Sequence, residues 1–166
     1  MAGALDGIRV IEFANYVSGP YAGMLLGDMG ADIIKVEEPT KGDPFRGWGR
    51  VEYSATFGSV NRNKKSVTID LKSEQGKADA RALILTADVV IENFRVGTMD
   101  RLGLGFDQFT GANPGLIWCS ITGYGSDGPY AMRPGYDTVG QASSGLLSLL
   151  TDIADPKPMG ISLSDH

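Results

Sequence analysis

Hydrophobic residues recur with two different periods in the first part of the chain. Ile8–Phe13 alternates and is rich in β-branched side chains, and Asp32–Val36 has the same character, so each stretch predicts a β-strand. Between them, Pro20 favours the first turn of a helix and Gly30 favours its end. Four apolar residues fill the i, i+3, i+4 and i+7 positions of that helix: Ala22, Leu25, Leu26 and Met29. A βαβ unit with parallel strands is therefore predicted to be complete by Glu37.

The same two periods return further along the chain. Ser66–Asp70 predicts a third strand, and Ser73 can cap the start of the helix that follows. The core face of that helix is predicted at four positions: Ala80, Leu83, Ile84 and Ala87. Val89–Glu92 is a short apolar run that ends in a carboxylate, which is typical of a strand buried on both faces of a parallel sheet.

The remaining elements complete an α/β pattern. Phe106–Thr110 predicts a short helix, Leu116–Thr122 a fifth strand and Tyr136–Leu150 a last helix. Residues 37–65 carry prolines and glycines with little periodicity, so we expect a long irregular connection, which in a compact domain is more often functional than idle. Five strands interleaved with helices predict an α/β fold, an open Rossmann-like parallel sheet with flanking helices. Without an internal repeat or a linker, residues 1–166 are expected to belong to one domain.

The composition of the chain argues against several classes of binding partner. The 166 residues carry 15 Lys and Arg against 20 Asp and Glu, a formal charge of −5, and they lack the basic block on which nucleic-acid affinity depends. No stretch approaches the roughly 18 apolar residues of a membrane span, and the N-terminus does not resemble a leader peptide. One cysteine and one histidine cannot form a Cys/His zinc site. We therefore expect a soluble, cytoplasmic protein with no metal and no nucleic-acid or membrane partner.

Glycine is the outlying residue type, because 23 of the 166 residues are glycine. Gly123–Gly128 formally matches the Gly-x-Gly-x-x-Gly pattern of dinucleotide sites and follows a predicted strand. That pattern requires a helix to begin inside the turn, whereas Pro129 and Pro134 interrupt the residues that follow. We interpret the segment as a loop with structural or substrate-lining duties, and an NAD-dependent oxidoreductase is a distant alternative.

Polar residues that follow the predicted strands are candidate binding groups. Ser18–Pro20 places a hydroxyl and a helix N-terminus after the first strand, at the edge where open α/β sheets bind ligands. Glu37 and Glu38 follow the second strand, and Asn93 with Phe94 follows the fourth. Cations near strand ends include residues 62–65 (Arg-Asn-Lys-Lys), Lys72, Arg95 and Arg101. Taken alone, these cations are interpreted as a solvated charged surface.

Taken together, these segments resemble the family III CoA-transferases, the CaiB/BaiF group that includes formyl-CoA and carnitine-CoA transferase types. The resemblance runs from Leu5 to the last residue and rests on many motifs in the same order. The matching stretches are Leu5–Phe13, Ser18–Pro20, Leu26–Glu37, Asn63–Lys72, Ala87–Phe94, Gly97–Gly103, Ser120–Gly125, Gly135–Asp137 and Gln141–Gly145. The resemblance implies an α/β CoA-binding domain whose substrates are an acyl-CoA and a carboxylic acid.

The resemblance also implies covalent chemistry on one carboxylate. In the family, an aspartate attacks the donor thioester to give a mixed anhydride, and the released CoA thiolate attacks back to give an aspartyl-CoA thioester. The acceptor acid then repeats the sequence in reverse. The family position of this nucleophile matches Asp165, in the segment Gly-Ile-Ser-Leu-Ser-Asp-His at residues 160–166. Because a carboxylate is a weak nucleophile, its positioning and the stabilisation of the developing oxyanion must lower the barrier.

Matching positions further imply where CoA binds. The expected contacts are Val17, Ser18, Ile69, Asp70, Leu71, Lys72, Asn93, Phe94, Arg95 and Arg101. Lys72 and Arg101 supply charge suited to phosphate oxygens. Some family members carry Gln where this chain has Val17 and Arg where it has Glu38, so contacts to the thioester and to adenine are expected to differ here.

Two alternatives stay open at this point. The racemase branch of the family, which epimerises 2-methylacyl-CoA, resembles the chain almost as well, but its relatives carry His at the position of Tyr136. A phenol is a far weaker base than an imidazole near neutral pH, so transferase is preferred. The other alternative is a non-catalytic CoA-binding module left by truncation, because family members are considerably longer. We expect the chain to be the N-terminal part of such a protein, incomplete without the C-terminal half. The resemblance also implies that the full-length form is a homodimer.

Overall fold

The computed structural model describes residues 2–49, 54–158 and 160–166. The chain divides into two compact units, Met1–Ile121 and Thr122–His166. The first unit holds a β-sheet with its helices, and the second holds two short helices joined to irregular segments. The assignment of all 166 residues to one domain stays a prediction.

The first unit is built on the five-stranded parallel sheet that the alternation of elements predicts. Its strands are β1 (Arg9–Phe13), β2 (Asp32–Glu37), β3 (Lys64–Thr68), β4 (Val89–Glu92) and β5 (Ile117–Ser120). Their order across the sheet is β3-β2-β1-β4-β5, and every neighbouring pair is parallel. The carboxyl ends of all five strands therefore lie at one edge of the sheet, where open α/β sheets bind ligands.

Helices and 3₁₀ turns connect the strands, and two short helices lie in the second unit. The helices are α1 (Ser18–Asp28), α2 (Ala55–Ser59), α3 (Glu74–Leu85), α4 (Thr98–Arg101), α5 (Asp137–Ser143) and α6 (Leu146–Leu150), and the 3₁₀ turns are Pro44–Gly47 and Phe106–Gln108. α3 begins as expected, because Ser73 Oγ accepts a hydrogen bond from the Gly76 N–H at 3.0 Å. In the part of the chain that the structure describes, no helix is long and apolar enough to cross a bilayer.

Both faces of the sheet are covered by packed side chains. Successive residues of β1 point to opposite faces. Val10 packs in one cluster with Ile33 and Ile91, whereas Ile11 packs in another that includes Ile84 of α3. Burial on two faces is the property that the apolar strands indicate, and the predicted fold class is confirmed.

The face of α1 that contacts the sheet differs from the predicted apolar stripe. Two members of that stripe, Leu25 and Met29, are 38% and 49% exposed, whereas the other two pack on the core. Gly23 lies on the contact face instead, because a Cβ there would be 2.1 Å from Glu12 Oε2. Glu12 is a buried carboxylate of β1, so α1 can approach it this closely only where the helix has no side chain.

Several predicted boundaries also differ from the structure. β3 begins at Lys64, two residues before its predicted start, where Lys64 lies opposite Ile33 in the parallel ladder. The predicted helix Tyr136–Leu150 is two helices, because Gly145 has a φ of +82° and interrupts the helical backbone. The predicted helix Phe106–Thr110 is a 3₁₀ turn, and α4 was missed because one turn is too short to show an apolar period.

The irregular connection predicted at residues 37–65 is partly ordered into short elements. It contains the 3₁₀ turn at Pro44–Gly47, then α2, then the first residues of β3. Asp43 begins the turn with its side chain, which accepts a hydrogen bond from the Phe45 N–H at 2.9 Å. Residues 50–53 of the predicted connection lie outside the described residues.

The glycine-rich loop of the second unit is not followed by a helix. Residues 122–136 are all described and none of them is helical, and the next helix begins at Asp137. Gly123 instead approaches Gly135, because a Cβ on Gly123 would be 2.5 Å from the Gly135 Cα. The two glycines therefore serve a close approach of backbones, in agreement with a structural reading of the loop.

Candidate functional site

The turn between β1 and α1 meets the residue that follows β4. Asn93 Oδ1 accepts a hydrogen bond from the Asn15 N–H at 2.9 Å, and Asn93 Nδ2 donates to the Asn15 carbonyl at 2.8 Å. The same Nδ2 donates to Ser18 Oγ at 3.2 Å. Val17, directly before α1, is 6% exposed. The structure thus brings Val17, Ser18 and Asn93, three of the expected CoA contacts, together at the carboxyl edge of the sheet.

The segment after β3 lies at the same edge and is anchored by its apolar residues. Ile69 is buried, and Leu71 packs against the core. Asp70 Oδ1 accepts a hydrogen bond from the Lys72 N–H at 3.0 Å, which closes a local turn. The side chain of Lys72 is exposed at the end of this turn. These four residues therefore combine an internal anchor with one outward cation.

The remaining expected CoA contacts follow β4 along the chain. The Phe94 ring packs against the core. The backbone N–H of Phe94 donates to Glu92 Oε2 at 2.9 Å. Arg95 is exposed. Arg101, the last residue of α4, is also exposed and donates to Thr98 Oγ1 at 2.9 Å. Both guanidinium groups lie at the surface, where they suit phosphate oxygens.

Four buried charges, which the sequence patterns did not predict, lie close to the β1–α1 turn. We call Glu12, Lys35, Asp43 and Lys64 the ion cluster; each side chain is at most 3% exposed. Lys35 Nζ lies 2.8 Å from Glu12 Oε1 and 2.9 Å from Asp43 Oδ2, and Lys64 Nζ lies 2.8 Å from Glu12 Oε2. Two cations face two anions, so the cluster is neutral, as buried charges require.

The lysines of the ion cluster also bind backbone oxygens on both sides of the turn. Lys35 Nζ donates to the Ala14 carbonyl at 2.6 Å, and Lys64 Nζ donates to the Pro20 carbonyl at 2.6 Å. The oxygens Glu12 Oε2 and Asp43 Oδ2 face their lysines as ion pairs, without the angles of a hydrogen bond. The cluster therefore links β1, β2, β3 and the start of α1.

Lys64 corrects the interpretation of residues 62–65 as a solvated surface. Burial lowers the pKa of Lys64 to about 8, although the Glu12 carboxylate opposes the shift. Its neighbours behave as expected, because the side chains of Arg62 and Lys65 are 53% and 72% exposed and pair with aspartates at the surface. The interpretation is thus wrong for Lys64, since β3 directs this side chain beneath α1.

A sequence signal for the ion cluster was present. Glu12 and Lys35 each interrupt an apolar run in the two strands of the predicted βαβ unit, and the structure places them opposite each other in the β1–β2 ladder. Opposite charges in two buried, adjacent strands indicate an internal ion pair. Asp43 and Lys64 gave no comparable signal, because both lie in a stretch without periodicity.

Glu37 forms a second charged contact at the end of β2. Arg46 Nε and Nη2 each lie 2.7 Å from one of its carboxylate oxygens, and Ser66 Oγ donates to Oε1 at 2.6 Å. Burial opposes ionisation of this carboxylate, but these hydrogen bonds and one from the Asp43 N–H lower its pKa to about 2. Glu37 therefore fixes the position of Asp43, which belongs to the ion cluster.

Asp165 lies in the second unit, in a segment held by α5. We call residues 160–166 the Asp165 segment. Asp137 Oδ1, at the start of α5, accepts hydrogen bonds from the Ser164 N–H at 2.6 Å and the Asp165 N–H at 3.3 Å. Asp137 Oδ2 accepts from Gln141 Nε2, which also donates to the Ile161 carbonyl at 3.1 Å. The backbone that carries Asp165 is therefore attached to two side chains of one short helix.

The surroundings of Asp165 make its carboxylate more basic. Partial burial raises the pKa of Asp165, the negative charge of Asp137 raises it further, and His166 opposes the shift. A more basic carboxylate is a better nucleophile, so the arrangement suits attack on an electrophilic carbonyl. Gln141 is 1% exposed, and its Oε1 accepts no hydrogen bond within the described part of the chain.

Residues 2–49, 54–158 and 160–166 contain no group of three or more His, Cys, Asp or Glu side chains that could hold a metal ion. The buried carboxylates of Glu12 and Asp43 are both paired with Lys35. The expectation that the protein uses no metal stays a prediction.

Comparison with curated proteins finds CoA-transferases that are similar to this chain. The chain is 43% identical to succinyl-CoA–D-citramalate CoA-transferase of Chloroflexus aurantiacus, over 97% of this chain and 41% of the relative. It is 39% identical to succinyl-CoA:glutarate CoA-transferase of Homo sapiens, over 97% of this chain and 38% of the relative. The chain thus spans about two fifths of the length of these relatives.

Solved structures give the same result for the fold. A CaiB/BaiF family protein from Brucella suis matches with a TM-score of 0.92 and 43% identity, over 99% of this chain and 46% of that chain. The sequence profile of CoA-transferase family III matches residues 5–166, which is nearly the whole chain. The resemblance inferred from the motifs is confirmed, and the chain belongs to the family III CoA-transferases.

Proposed function

We propose that the protein carrying this chain transfers CoA from an acyl-CoA thioester to a carboxylic acid through an aspartyl-CoA thioester on Asp165. A carboxylate oxygen of Asp165 attacks the thioester carbonyl carbon, the C–S bond breaks, and a mixed anhydride and a CoA thiolate form. The thiolate then attacks the Asp165 carbonyl carbon, and the donor leaves as its carboxylate. No electron is gained or lost in either step, and no co-reactant is needed.

The acceptor acid completes the exchange by the same two steps in reverse. Its carboxylate attacks the aspartyl thioester, which releases the CoA thiolate and forms a second mixed anhydride. The thiolate attacks the acceptor carbonyl carbon, the new acyl-CoA forms, and the Asp165 carboxylate is regenerated. The reaction therefore converts one thioester into another, so the free energy of the thioester bond is conserved.

The observation that carries the proposal is the setting of Asp165. Its backbone N–H is bound to Asp137, and burial and the Asp137 charge raise the pKa of its carboxyl. These features support a nucleophile whose backbone is anchored and whose carboxylate is more basic than a carboxylate in water. The family match over residues 5–166 supports the same assignment.

The carboxyl edge of the sheet supports CoA binding in the first unit. Val17 and Ser18 lie where β1 leads into α1, and Asn93 follows β4 at the same edge. Lys72 and Arg101 are exposed cations suited to the phosphates of CoA. We propose that Val17, Ser18, Lys72 and Arg101, together with Ile69–Leu71 and Phe94–Arg95, contact CoA, and that Asn93 belongs to the same site through its hydrogen bonds to the β1–α1 turn.

Trapping the covalent intermediate tests the proposal. The complete protein as expressed is incubated with acyl-CoA thioesters, starting with succinyl-CoA because two relatives are named for it. Intact mass is expected to increase by one CoA less one water, and hydroxylamine is expected to release CoA and leave a hydroxamate on Asp165. Asp165→Asn should show neither change, whereas Asp155→Asn, which removes an exposed aspartate of the same unit, should retain both.

The outcome separates transfer from the alternatives. CoA binding without any covalent adduct in the unaltered protein would favour a non-catalytic module. Proton exchange at C2 of a branched acyl-CoA without acid exchange would favour a racemase, and either result would reject the proposal. The cytoplasmic location expected from the sequence and the homodimer implied by the family resemblance stay predictions, which cell fractionation and sedimentation would check.

A further inference from the structure

The turn between β1 and α1 contains a strained residue. Tyr16 has a φ of +63°, a left-handed conformation that bulky aromatic residues rarely adopt. Its ring packs edge-on against Phe45 and Trp48, with centroid distances of 6.3 and 6.4 Å. Such strain persists only where surrounding contacts impose it, so the contacts of this turn require an explanation.

Three side chains bind the backbone of the turn, and they come from three different parts of the first unit. Lys35 of β2 donates to the Ala14 carbonyl, and Asp43 Oδ1 accepts from the Tyr16 N–H at 3.1 Å. Asn93, after β4, binds both the N–H and the carbonyl of Asn15. Four consecutive polar backbone groups are therefore satisfied by side chains, and the conformation at Tyr16 follows from where those side chains are held.

The hydrogen-bonding groups of the Asn93 amide are occupied within the protein. The Oδ1 atom accepts from the Asn15 N–H, and Nδ2 donates to the Asn15 carbonyl and to Ser18 Oγ. An asparagine amide has two donor hydrogens, and both are accounted for by these contacts. Its Cγ also lies close to α1, since a Cβ on Gly19 would be 3.2 Å from it.

We propose that Asn93 is a positioning residue, which holds the 15–18 turn in its left-handed form so that Val17 and Ser18 are presented to CoA, and that its own side chain does not contact CoA. The inference rests on the proposed CoA site and gives Asn93 a role different from the contact expected by resemblance. Asp43 supports the same turn from its other side, and Lys35 ties Asp43 to the sheet.

A matched pair of asparagine variants tests this role in the complete protein as expressed. Asn93→Ala removes the bonds to Asn15 and should weaken CoA binding about tenfold, as loss of one or two hydrogen bonds implies. Asn113→Ala is the control, because Asn113 Nδ2 likewise donates to a backbone carbonyl, that of Ala87, at 2.8 Å. The control should lose comparable stability against urea but bind CoA within about twofold of the unaltered protein.

Hydrogen exchange in the CoA-free protein separates positioning from direct contact. The Tyr16 N–H is bound to Asp43 and not to Asn93, so its faster exchange in Asn93→Ala would report loosening of the whole turn. A Tyr16→Gly change added to Asn93→Ala should recover part of the CoA affinity, because glycine adopts positive φ without strain. If Asn93 bound CoA directly, a change at residue 16 could not restore the affinity in this way.

Each outcome decides between the two proposals. If the unaltered protein binds no CoA, the proposed function fails. If it binds CoA and Asn93→Ala binds it equally well, the positioning role alone is wrong. Weakened binding with unchanged exchange at Tyr16 and no recovery by Tyr16→Gly would mean that Asn93 contacts CoA directly, which also overturns the inference.

Discussion

The ion cluster and the Asp165 segment both support candidate functional groups, but they are built from different contacts. The ion cluster joins β1, β2, β3 and the residue Asp43 through charges that are at most 3% exposed. The Asp165 segment is attached to one short helix through Asp137 and Gln141, and Ile161 and Leu163 beside it are 57% and 43% exposed.

The difference separates two requirements of a group-transfer site. A turn that must keep one shape gains from buried, fully paired charges, because removal of any one leaves an uncompensated charge. A nucleophile must instead keep a basic carboxylate that can react, and the unbalanced pair Asp137 and Asp165 provides this at a cost in local stability. Changes in the first region should therefore lower stability most, and changes in the second should alter reactivity most.

The largest effect is expected from Glu12→Ala. This change leaves the buried Lys64 without its carboxylate partner and should lower the free energy of unfolding by about 3–5 kcal/mol. Urea unfolding measures the loss. The double variant Glu12→Ala with Lys64→Met restores neutrality and should be more stable than the single variant. A loss below about 1 kcal/mol for Glu12→Ala would show that the cluster is not charged as described.

Two glycine-to-alanine changes compare the regions directly. In Gly23→Ala the new Cβ would lie 2.1 Å from Glu12 Oε2, so we expect a net loss of about 2 kcal/mol despite the better helix propensity of alanine. In Gly140→Ala, on α5, the Cβ would meet Ser164 Cβ at 3.0 Å, and the net change should stay within about 1 kcal/mol. Thermal or urea unfolding measures both, and equal losses would remove the proposed contrast.

Acid should weaken the first region through Glu37. Its pKa is lowered to about 2 in the folded protein, so its contribution is complete above the unfolded value of 4.5 and is lost as the pH falls toward 2. Because Arg46 is 44% exposed, we expect a contribution of only about 1–2 kcal/mol. The stability difference between the unaltered protein and Glu37→Gln should shrink between about pH 6 and about pH 3; a constant difference would contradict the assignment.

The smallest effect on stability, but a distinct effect on reactivity, is expected from Asp137→Asn. The amide oxygen can still accept from the Ser164 N–H, whereas the charge that raises the Asp165 pKa is lost. The acid limb of aspartyl-CoA formation, where Asp165 becomes protonated, should therefore shift to lower pH. Asp152→Asn, which removes another aspartate of the same unit, should leave the limb in place, and a shared shift would refute the specific role of Asp137.

Periodicity predicted most of the fold, and motifs predicted the family. Of the core positions predicted for the helix after β3, Ala80 and Ile84 of α3 are buried and Leu83 packs partly against the same core. Ala87 is also buried, but it follows the end of α3 at Leu85. The prediction for α1 was half wrong because its contact face is decided by Glu12, a residue of another element. Local patterns cannot show which charges a distant strand will place beneath a helix.

The candidate site likewise has a part that the sequence predicted and a part that only the structure shows. The resemblance named Ser18, Asn93 and Asp165 from local motifs. It did not show that the Asn93 amide is hydrogen-bonded to the Asn15 backbone, or that Asp137 binds the backbone of Asp165. Those contacts join residues 78 and 28 positions apart. A motif shows which residues are present, whereas the hydrogen-bond partners of those residues depend on how distant segments of the chain pack together.

The sequence by itself thus determined the order of the five strands along the chain, the two long helices α1 and α3, the parallel sheet and the family, because each depends on local periodicity or on motifs in a fixed order. The tertiary structure decided which charges are buried and which side chains hold the turn after β1. Burial converts a lysine such as Lys64 from a solvated surface charge into half of an internal ion pair, and only the packing of β3 beneath α1 determines that it is buried.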